Sequence, residues 1–273
     1  YFSHKSITVG LLPYGTGNDF SKTIGMRKDI EQLACLIEND QIQPVDIGEV
    51  QYRSHEGETK TRYFINITDL GIGGEVVKMV NQSSKFLGPN LTYKKAIIQS
   101  FFTYKHKKIR LTAESSLPAP PGSQRQAVGR DSAGTATAES SLPAPSDTQG
   151  QVGGRDSAGK DSFQWEGPIL SLCMANGRYF GSGICIAPQA DVSDGMIQLV
   201  IMGNLSLIDY LKNMPKIKKG EILEHPEVHY EQVHTCRIVP LEGECPVDMD
   251  GEFIGYAPIE LRVHKHALKF LRE

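Results

Sequence analysis

The sequence predicts an α/β segment followed by a mostly antiparallel β domain, with a polar insertion breaking the β part. Three observations lead there. The chain opens on a strand, a glycine-rich loop and a helix-like run, "ITVGLLPYGTGNDFSK", which is α/β grammar. Apolar and polar residues then alternate through much of the remainder, as in strands with one buried face. Residues 112–162 carry no aromatic side chain and repeat themselves. "TAESSLPAP" starts at Thr112 and again at Thr137, and "RDSAG" starts at Arg130 and again, by the same offset, at Arg155.

Taken in order, Ile7–Leu12 reads as a short buried strand, followed by the glycine loop and a turn at Gly25. Asp29–Asn39 reads as an amphipathic helix with Asp29 as N-cap and Ile30, Leu33, Ala34 and Ile37 on one face. After Pro44, "VDIGEVQY" and "TRYFINITDLGIGG" alternate as strands do. Leu91–Tyr104 is expected to be a helix, and "KKIRLTAE" another strand. The duplicated stretch 112–162 has too few apolar residues to stack as a solenoid, so it reads as a disordered insertion in a surface hairpin. From Phe163 onward, "PILSLCMANG" is a strand and "GSGICIAPQADVSDGMIQLVIMG" a strand, loop and strand. Asn204–Met214 is a capped helix, Pro226–Val239 gives more strand, and "CPVDMDGEFIGYAPIELRVHKHALKFL" closes the chain with strands around a tight turn.

Composition excludes several classes. At 273 residues the chain can bury a sizeable core. A net charge of −3 gives no basic field for nucleic acid. No apolar run is long enough for a membrane span, and the N-terminus has no signal-peptide pattern. The five cysteines form no CxxC pair and read as reduced thiols of a cytosolic protein. There is no HExxH motif, and a histidine metal site is not expected. The chain does not begin with Met, so it is expected to start part-way through a longer polypeptide.

Three stretches carry candidate chemistry. In Gly15-Thr16-Gly17-Asn18-Asp19-Phe20, glycines let the backbone approach phosphate oxygens, and Thr16 offers a hydroxyl. Asp19 can cap the following helix or act on a metal or a water. The loop matches neither the Gly-Lys-Ser/Thr pattern nor GxGxxG, so a phosphate grip and a plain strand-to-helix turn both remain open. In the run Ala187–Met196, Asp191 and Asp194 suit a hard cation, or simply an Asp-Gly turn. In Asp248-Met249-Asp250-Gly251-Glu252, Asp-Gly turns the chain and leaves Glu252 at the mouth of a hairpin. There it can accept a proton or remain a solvated acid.

In this order, "LPYGTGNDFSKTIG", "DLGIGGEV", "GSGICIAPQADVSDGMIQLVI" and "VDMDGEFIGYAPIEL" resemble the diacylglycerol kinase catalytic family. The resemblance is greatest to its soluble bacterial-type lipid kinases and covers about residues 1–111 and 163–273. It implies an α/β nucleotide domain like that of NAD kinases and phosphofructokinases, incomplete here, and a C-terminal antiparallel β-sandwich domain. Residues 1–44, joined by 264–273, would belong to the first, and 45–111 with 163–263 to the second. It implies ATP and Mg²⁺ as cofactors. On matching positions, Gly15, Thr16, Gly17 and Asn18 would contact the nucleotide, with Asp19 near the transferring phosphoryl group. Asp194, with the carbonyls of Asp191 and Met196, would hold a structural Mg²⁺, and Glu252 would take the proton from the lipid hydroxyl. The family also carries a Gly-Gly-Asp-Gly-Thr loop upstream of this point, and this chain has none.

The expected function is a lipid kinase, most simply diacylglycerol to phosphatidic acid, with low activity for the chain alone. Its expected partners are ATP, a lipid at a membrane surface and a second copy of the chain, and it would lie in the cytoplasm, peripherally on a membrane. Basic clusters at Lys105–Arg110 and Lys216–Lys219 can meet anionic lipid or simply be solvated. The alternative is an inactive fragment or pseudokinase serving as a binding module. An NAD kinase is disfavoured by the "APQADVSDG" and "DGE" segments.

Overall fold

The computed structural model describes residues 7–15, 17–82, 89–115, 154–155 and 161–273. Thr16 and nearly all of the duplicated stretch therefore lie outside the described residues.

A single long strand organises the molecule. β1 is Thr8–Val9, β2 Ile42–Arg53, β3 Thr59–Phe64, β4 Ile67–Gly71 and β5 Lys107–Glu114. β6 is Gly154–Arg155, β7 Asp161–Ile169, β8 Ser171–Ala175, β9 Tyr179–Phe180 and β10 Ile184–Cys185. They are followed by β11 Ile197–Met202, β12 Val228–Val233, β13 Thr235–Pro240, β14 Pro246–Met249 and β15 Glu252–Leu271. β2 runs antiparallel along one edge of β15, from Tyr256↔Arg53 to Leu271↔Ile42. Along the other edge follow β14, then β13, then β1, the last in parallel register at Thr8↔Lys269 and Val9↔Phe270. The path β12-β11-β8-β4-β14-β15-β13-β5-β7-β6 is continuous. It folds into two layers because β15 is interrupted by two register shifts. At the first shift Gly255 lies so close to β2 that a Cβ there would stand 2.3 Å from the Arg53 carbonyl oxygen.

Between the layers lies an apolar core that includes Val50, Phe64, Leu70, Leu111, Trp165, Met174, Leu199, Ile238 and Ile259. Strict alternation explains this: β5 reads buried at Ile109, Leu111 and Ala113 and exposed at the residues between. Burial of about 25 cal/mol per Å² of apolar surface is the main force holding the layers together. Three helices cover the opposite face of β4, β8 and β11: α3 (Ile72–Gln82), α4 (Pro89–Thr103) and α5 (Leu207–Lys218). Val76, Ala96 and Ile217 press there against Cys173, Val200 and Ile186. A third, smaller core joins α1 (Asp19–Thr23) and α2 (Ile30–Glu38) to the end of β15 through Ile24, Met26, Leu36, Val45 and Phe270.

The antiparallel two-layer architecture and the opening α/β segment agree with the sequence. Four local expectations need correction. The opening strand is shorter, because it pairs with β15 alone over two residues and leaves Ile7 exposed. "GIGG" is not strand: Gly71 takes a positive φ of 106° and turns β4 directly into α3. The buried face of α2 is Gln32, Leu33 and Leu36, while Ile30 and Ile37 are exposed. Gln32 fixes that rotation, since its side chain donates to the Gly25 carbonyl and accepts from the Arg27 N–H. The hairpin stem reaches beyond residues 112 and 162, because β5 runs to Glu114 and β7 begins at Asp161.

The expected N-cap of α2 is present, with Asp29 accepting from the Glu31 N–H at 2.9 Å. α5 begins three residues later than expected, capped by a reciprocal Ser206–Asp209 box. Four of the five thiols are buried and all five are free. Among the described residues no helix is long and apolar enough to cross a membrane.

Candidate active site

The glycine loop holds itself. Asn18 adopts the left-handed region (φ 51°), which its short polar side chain tolerates. Its Nδ2 donates to the Gly15 carbonyl at 2.5 Å, and Ser21 Oγ donates to the Asn18 carbonyl at 2.7 Å. Asp19 then opens α1 with its side chain only 12% exposed. One carboxylate oxygen meets Lys22 Nζ at 3.0 Å, and the other accepts the Ser182 N–H at 2.9 Å. Ser182 lies in Gly181-Ser182-Gly183, three residues in succession with positive φ. Gly183 takes a φ of 100°, a conformation that side-chain-bearing residues rarely adopt. The tip between β9 and β10 is thus a second glycine loop, packed onto the first.

Facing these loops is a wall of carboxylates built into the sheet. Asp69 of β4 pairs in register with Asp248 of β14 on one side and with Cys173 of β8 on the other. Both acids are buried. Burial, and then the charge of Asp248, hold the Asp69 carboxyl well above the usual carboxylate range. Burial likewise pushes Asp248 up to about 6, against the hydrogen bond from the Gly251 N–H. Room for Asp69 comes from Gly73, where a Cβ would sit 2.0 Å from its Oδ2. Gly74, next along, lets α3 lie against Pro246. "DLGIGG" is therefore a packing device: one glycine to turn, one to admit a carboxylate, one to seat a helix.

Asp250, at the apex of the β14–β15 turn, takes φ 49° and accepts three backbone N–H groups, from Ile65 (3.1 Å), Asn66 (3.2 Å) and Ile67 (3.0 Å). It rivets the hairpin to the start of β4. Glu252, two residues on, faces outward, its side chain 71% exposed and 3.3 Å from Arg62.

Between the two walls lies a cavity of about 560 Å³. Gly17, Asn18, Asp19 and Ser182 line one side, Asp69, Asp248, Asp250 and Gly251 the other, and Val77 and Val80 of α3 add an apolar flank. Of the expected site residues, Gly17, Asn18 and Asp19 share this cavity. Gly15 supports it from behind through Asn18. Glu252 lies at its rim rather than on its wall. Asp191, Asp194 and Met196 belong to a different loop. Sequence reading passed over Asp69, Asp248 and Asp250 as site residues, although all three lie inside the quoted motifs. For Asp69 and Asp248 the signal is a charged residue at an inward position of an otherwise apolar strand; Asp250 instead stands in the Asp-Gly turn that follows β14.

The Asp191–Met196 loop is closed on itself. Asp191 Oδ1 accepts from the N–H and Oγ of Ser193, and Asp194 Oδ1 from the Met196 N–H. Lys265 Nζ donates to the Asp194 carbonyl at 3.0 Å. Burial, opposed by the Met196 N–H, and then the charge of Asp191 raise the Asp194 carboxyl above its ordinary value. Asp46, fully buried, clamps the loop from below: its oxygens accept the Gly195 and His266 N–H groups, each at 2.6 Å. Among the described residues no set of three or more His, Cys, Asp or Glu side chains is placed to hold a metal. The pair Asp191–Asp194 offers hard oxygen donors, with each Oδ2 lacking a hydrogen-bond partner among the described residues, which suits Mg²⁺ completed by carbonyls and water.

The fold and cleft define a protein that sets a glycine-loop α/β segment against a carboxylate-bearing β-sandwich. The family described as "YegS C-terminal NAD kinase beta sandwich-like domain" matches residues 66–272, and "Diacylglycerol kinase catalytic domain" matches residues 2–50. The chain belongs to this family of diacylglycerol kinase and YegS-like lipid kinases. It is 23% identical to a diacylglycerol kinase of Bacillus subtilis over 261 residues, spanning 95% of this chain and 67% of that one. It is 27% identical to a Pseudomonas aeruginosa protein named "Probable lipid kinase YegS-like", over 71% of this chain and 46% of that one. A crystal structure of a diacylglycerol kinase from Bacillus anthracis shares the fold, with a TM-score of 0.54 at 15% identity, covering 97% of this chain and 67% of that one. The chain thus spans between about half and two thirds of these relatives.

Proposed function

We propose that this chain forms the acceptor side and part of the donor side of a lipid kinase, which moves the γ-phosphoryl group of ATP to a lipid hydroxyl. Diacylglycerol is the first acceptor to try. The observation that carries the reading is the cleft of about 560 Å³, with a glycine loop on one wall and carboxylates on the other. Phosphoryl transfer asks mainly for positioning and charge neutralisation. In this reading Gly15, Thr16, Gly17 and Asn18 receive the nucleotide phosphates through backbone N–H groups and the Thr16 hydroxyl. Asp19, now paired with Lys22, would be the carboxylate offered to the Mg²⁺ that accompanies the nucleotide. Asp194, with the carbonyls of Asp191 and Met196, would hold a second, structural Mg²⁺ in the loop above Asp46. Mg²⁺ supplies neutralisation of phosphate charge when bound. Glu252 leaves Arg62 to accept the proton of the lipid hydroxyl. Residues 1–44 with 264–273 form the nucleotide segment, and 45–111 with 163–263 the sandwich.

The test is transfer of labelled phosphate from ATP and Mg²⁺ to diacylglycerol in mixed micelles, using the native polypeptide that carries this chain. Product above background, lost in Glu252→Ala, is expected. Equal background in both would end the proposal. A second reading, a binding module without catalysis, draws on one observation: both oxygens of Asp19 are already engaged and Glu252 is turned to Arg62. Calorimetry with ATP and Mg²⁺ separates the two, since a module would give no heat.

A further inference from the structure

α5 is packed on one side and conspicuously unmatched to water on the other. Its inner face is Tyr210, Met214 and Ile217, which join the core beneath the helix layer. Its outer face carries Ile208, 65% exposed, with Leu211 and Pro215 also exposed. At 100° per residue these three fall within one narrow stripe. Lys212, Lys216, Lys218 and Lys219 flank that stripe, all exposed. Among the described residues none of the four is ion-paired, and no acid occurs from Tyr210 to Gly220. The single acid of the helix, Asp209, is spent on the capping box with Ser206. α4, in the same helix layer, also carries exposed apolar side chains. Phe102 is 77% exposed beside Ile98 and Lys95, and Phe101 meets Tyr210 with ring centroids 5.0 Å apart and planes tilted by 46°. Solvated helix faces have no use for an apolar stripe bordered by lysines. An anionic bilayer does: the stripe enters the acyl boundary while the lysine stems reach back to phosphates.

We propose that the outer face of α5, extended by Ile98 and Phe102 of α4, is the surface by which this protein docks on an anionic lipid bilayer. The proposal deepens, and rests on, the lipid-kinase reading. Both helices belong to the layer that includes α3, whose Val77 and Val80 line the cleft. Docking on this face would therefore place the membrane on the helix layer to which the apolar flank of the cleft belongs. The other basic cluster, at 105–110, does not share this role. It lies on the alternating strand β5, where Lys108 and Arg110 are paired with Glu166.

The experiment is co-sedimentation of the protein, without ATP, with vesicles of phosphatidylcholine alone or mixed with phosphatidylglycerol. Wild type is expected to bind the mixed vesicles and to release as salt rises. Each lysine near an anionic surface contributes about fivefold to partitioning, so Lys212→Glu, Lys216→Glu and Lys219→Glu together should lower it by roughly a hundredfold or more. Ile208→Ser with Leu211→Ser should weaken binding at every salt concentration. A control with the same charge change on the sandwich, Lys108→Glu, Arg110→Glu and Arg237→Glu, should bind as wild type does. No binding of wild type to either vesicle, or an equal loss in the control, overturns the proposal. Phosphorylation of short-chain diacylglycerol in micelles is scored in parallel. Vesicle binding without any transfer would discard the kinase reading alone, whereas transfer without vesicle binding would discard only the docking face.

Discussion

The two walls of the cleft are built on opposite principles. The sheet wall holds its carboxylates by burial and backbone hydrogen bonds. Asp69 and Asp248 are enclosed side by side, and Asp250 takes three N–H groups from one strand end. The polar part of the loop wall is held by short-range hydrogen bonds within Gly15–Lys22 and one bond across to Ser182, while Phe20 packs edge-on to Phe270 of β15. Buried like charges cost stability, and proteins retain such arrangements where chemistry or geometry needs them. The difference teaches that one wall is a fixed template and the other an adaptable grip, as a site requires when one ligand must be placed and another admitted.

Replacing Glu252 with Ala should have the largest effect, about a hundredfold to ten-thousandfold on transfer, the usual range for a general base. Its exposure means the thermal midpoint should stay where it is. A parallel fall in stability would show that Glu252 belongs to the template and not to its rim. Asp250→Ala comes next, because it strands three N–H groups. A loss of about 2–4 kcal/mol in chemical denaturation is expected.

Asp69→Asn probes the cost of the buried pair. Both folded-state carboxyls titrate above their unfolded values. The folded protein then binds more protons than the unfolded chain above the ordinary carboxylate range. The contribution is favourable at low pH and is lost as pH rises through about 6, the value for Asp248, and beyond. Asp69→Asn should flatten that decline, by up to about 1.4 kcal/mol per pH unit per proton, and should raise stability at pH 8. An unchanged pH profile would mean that the pair is not the source. Asp19→Ala, on the adaptable wall, should cost only about 1 kcal/mol of stability while lowering transfer less than Glu252→Ala does. If it destabilises as much as Asp250→Ala, the contrast between the walls fails. The smallest effect belongs to Arg62→Ala, an exposed pair worth at most about 0.5 kcal/mol.

Much of the fold was legible because alternation is a strong signal. β5 and β13 each declare an inner face residue by residue. The face of α2 was not legible, since the isoleucines advertise a core that the bonds of Gln32 override. "GIGG" misled for a related reason: its apolar look suits a strand, and only the tertiary neighbours Asp69 and Pro246 explain its glycines. At the site, the glycine loop and the Asp-Gly turn could be read as local motifs. The Asp69–Asp248 pairing could not, because it joins strands nearly 180 residues apart. Nor could the clasp between Asp19 and Ser182, which depends on two loops meeting in space.

β15 carries a last consequence. This one strand serves as border for both regions, pairing with the sandwich at its beginning and with the glycine-loop segment at its end. No severable joint lies between them. A gene cut near residue 45 would not release two foldable halves: the first would lose the strand on which β1 is laid, and the second would expose a raw ladder edge prone to aggregation. For anyone shuffling modules among such proteins, this seam is the place where exchange is forbidden.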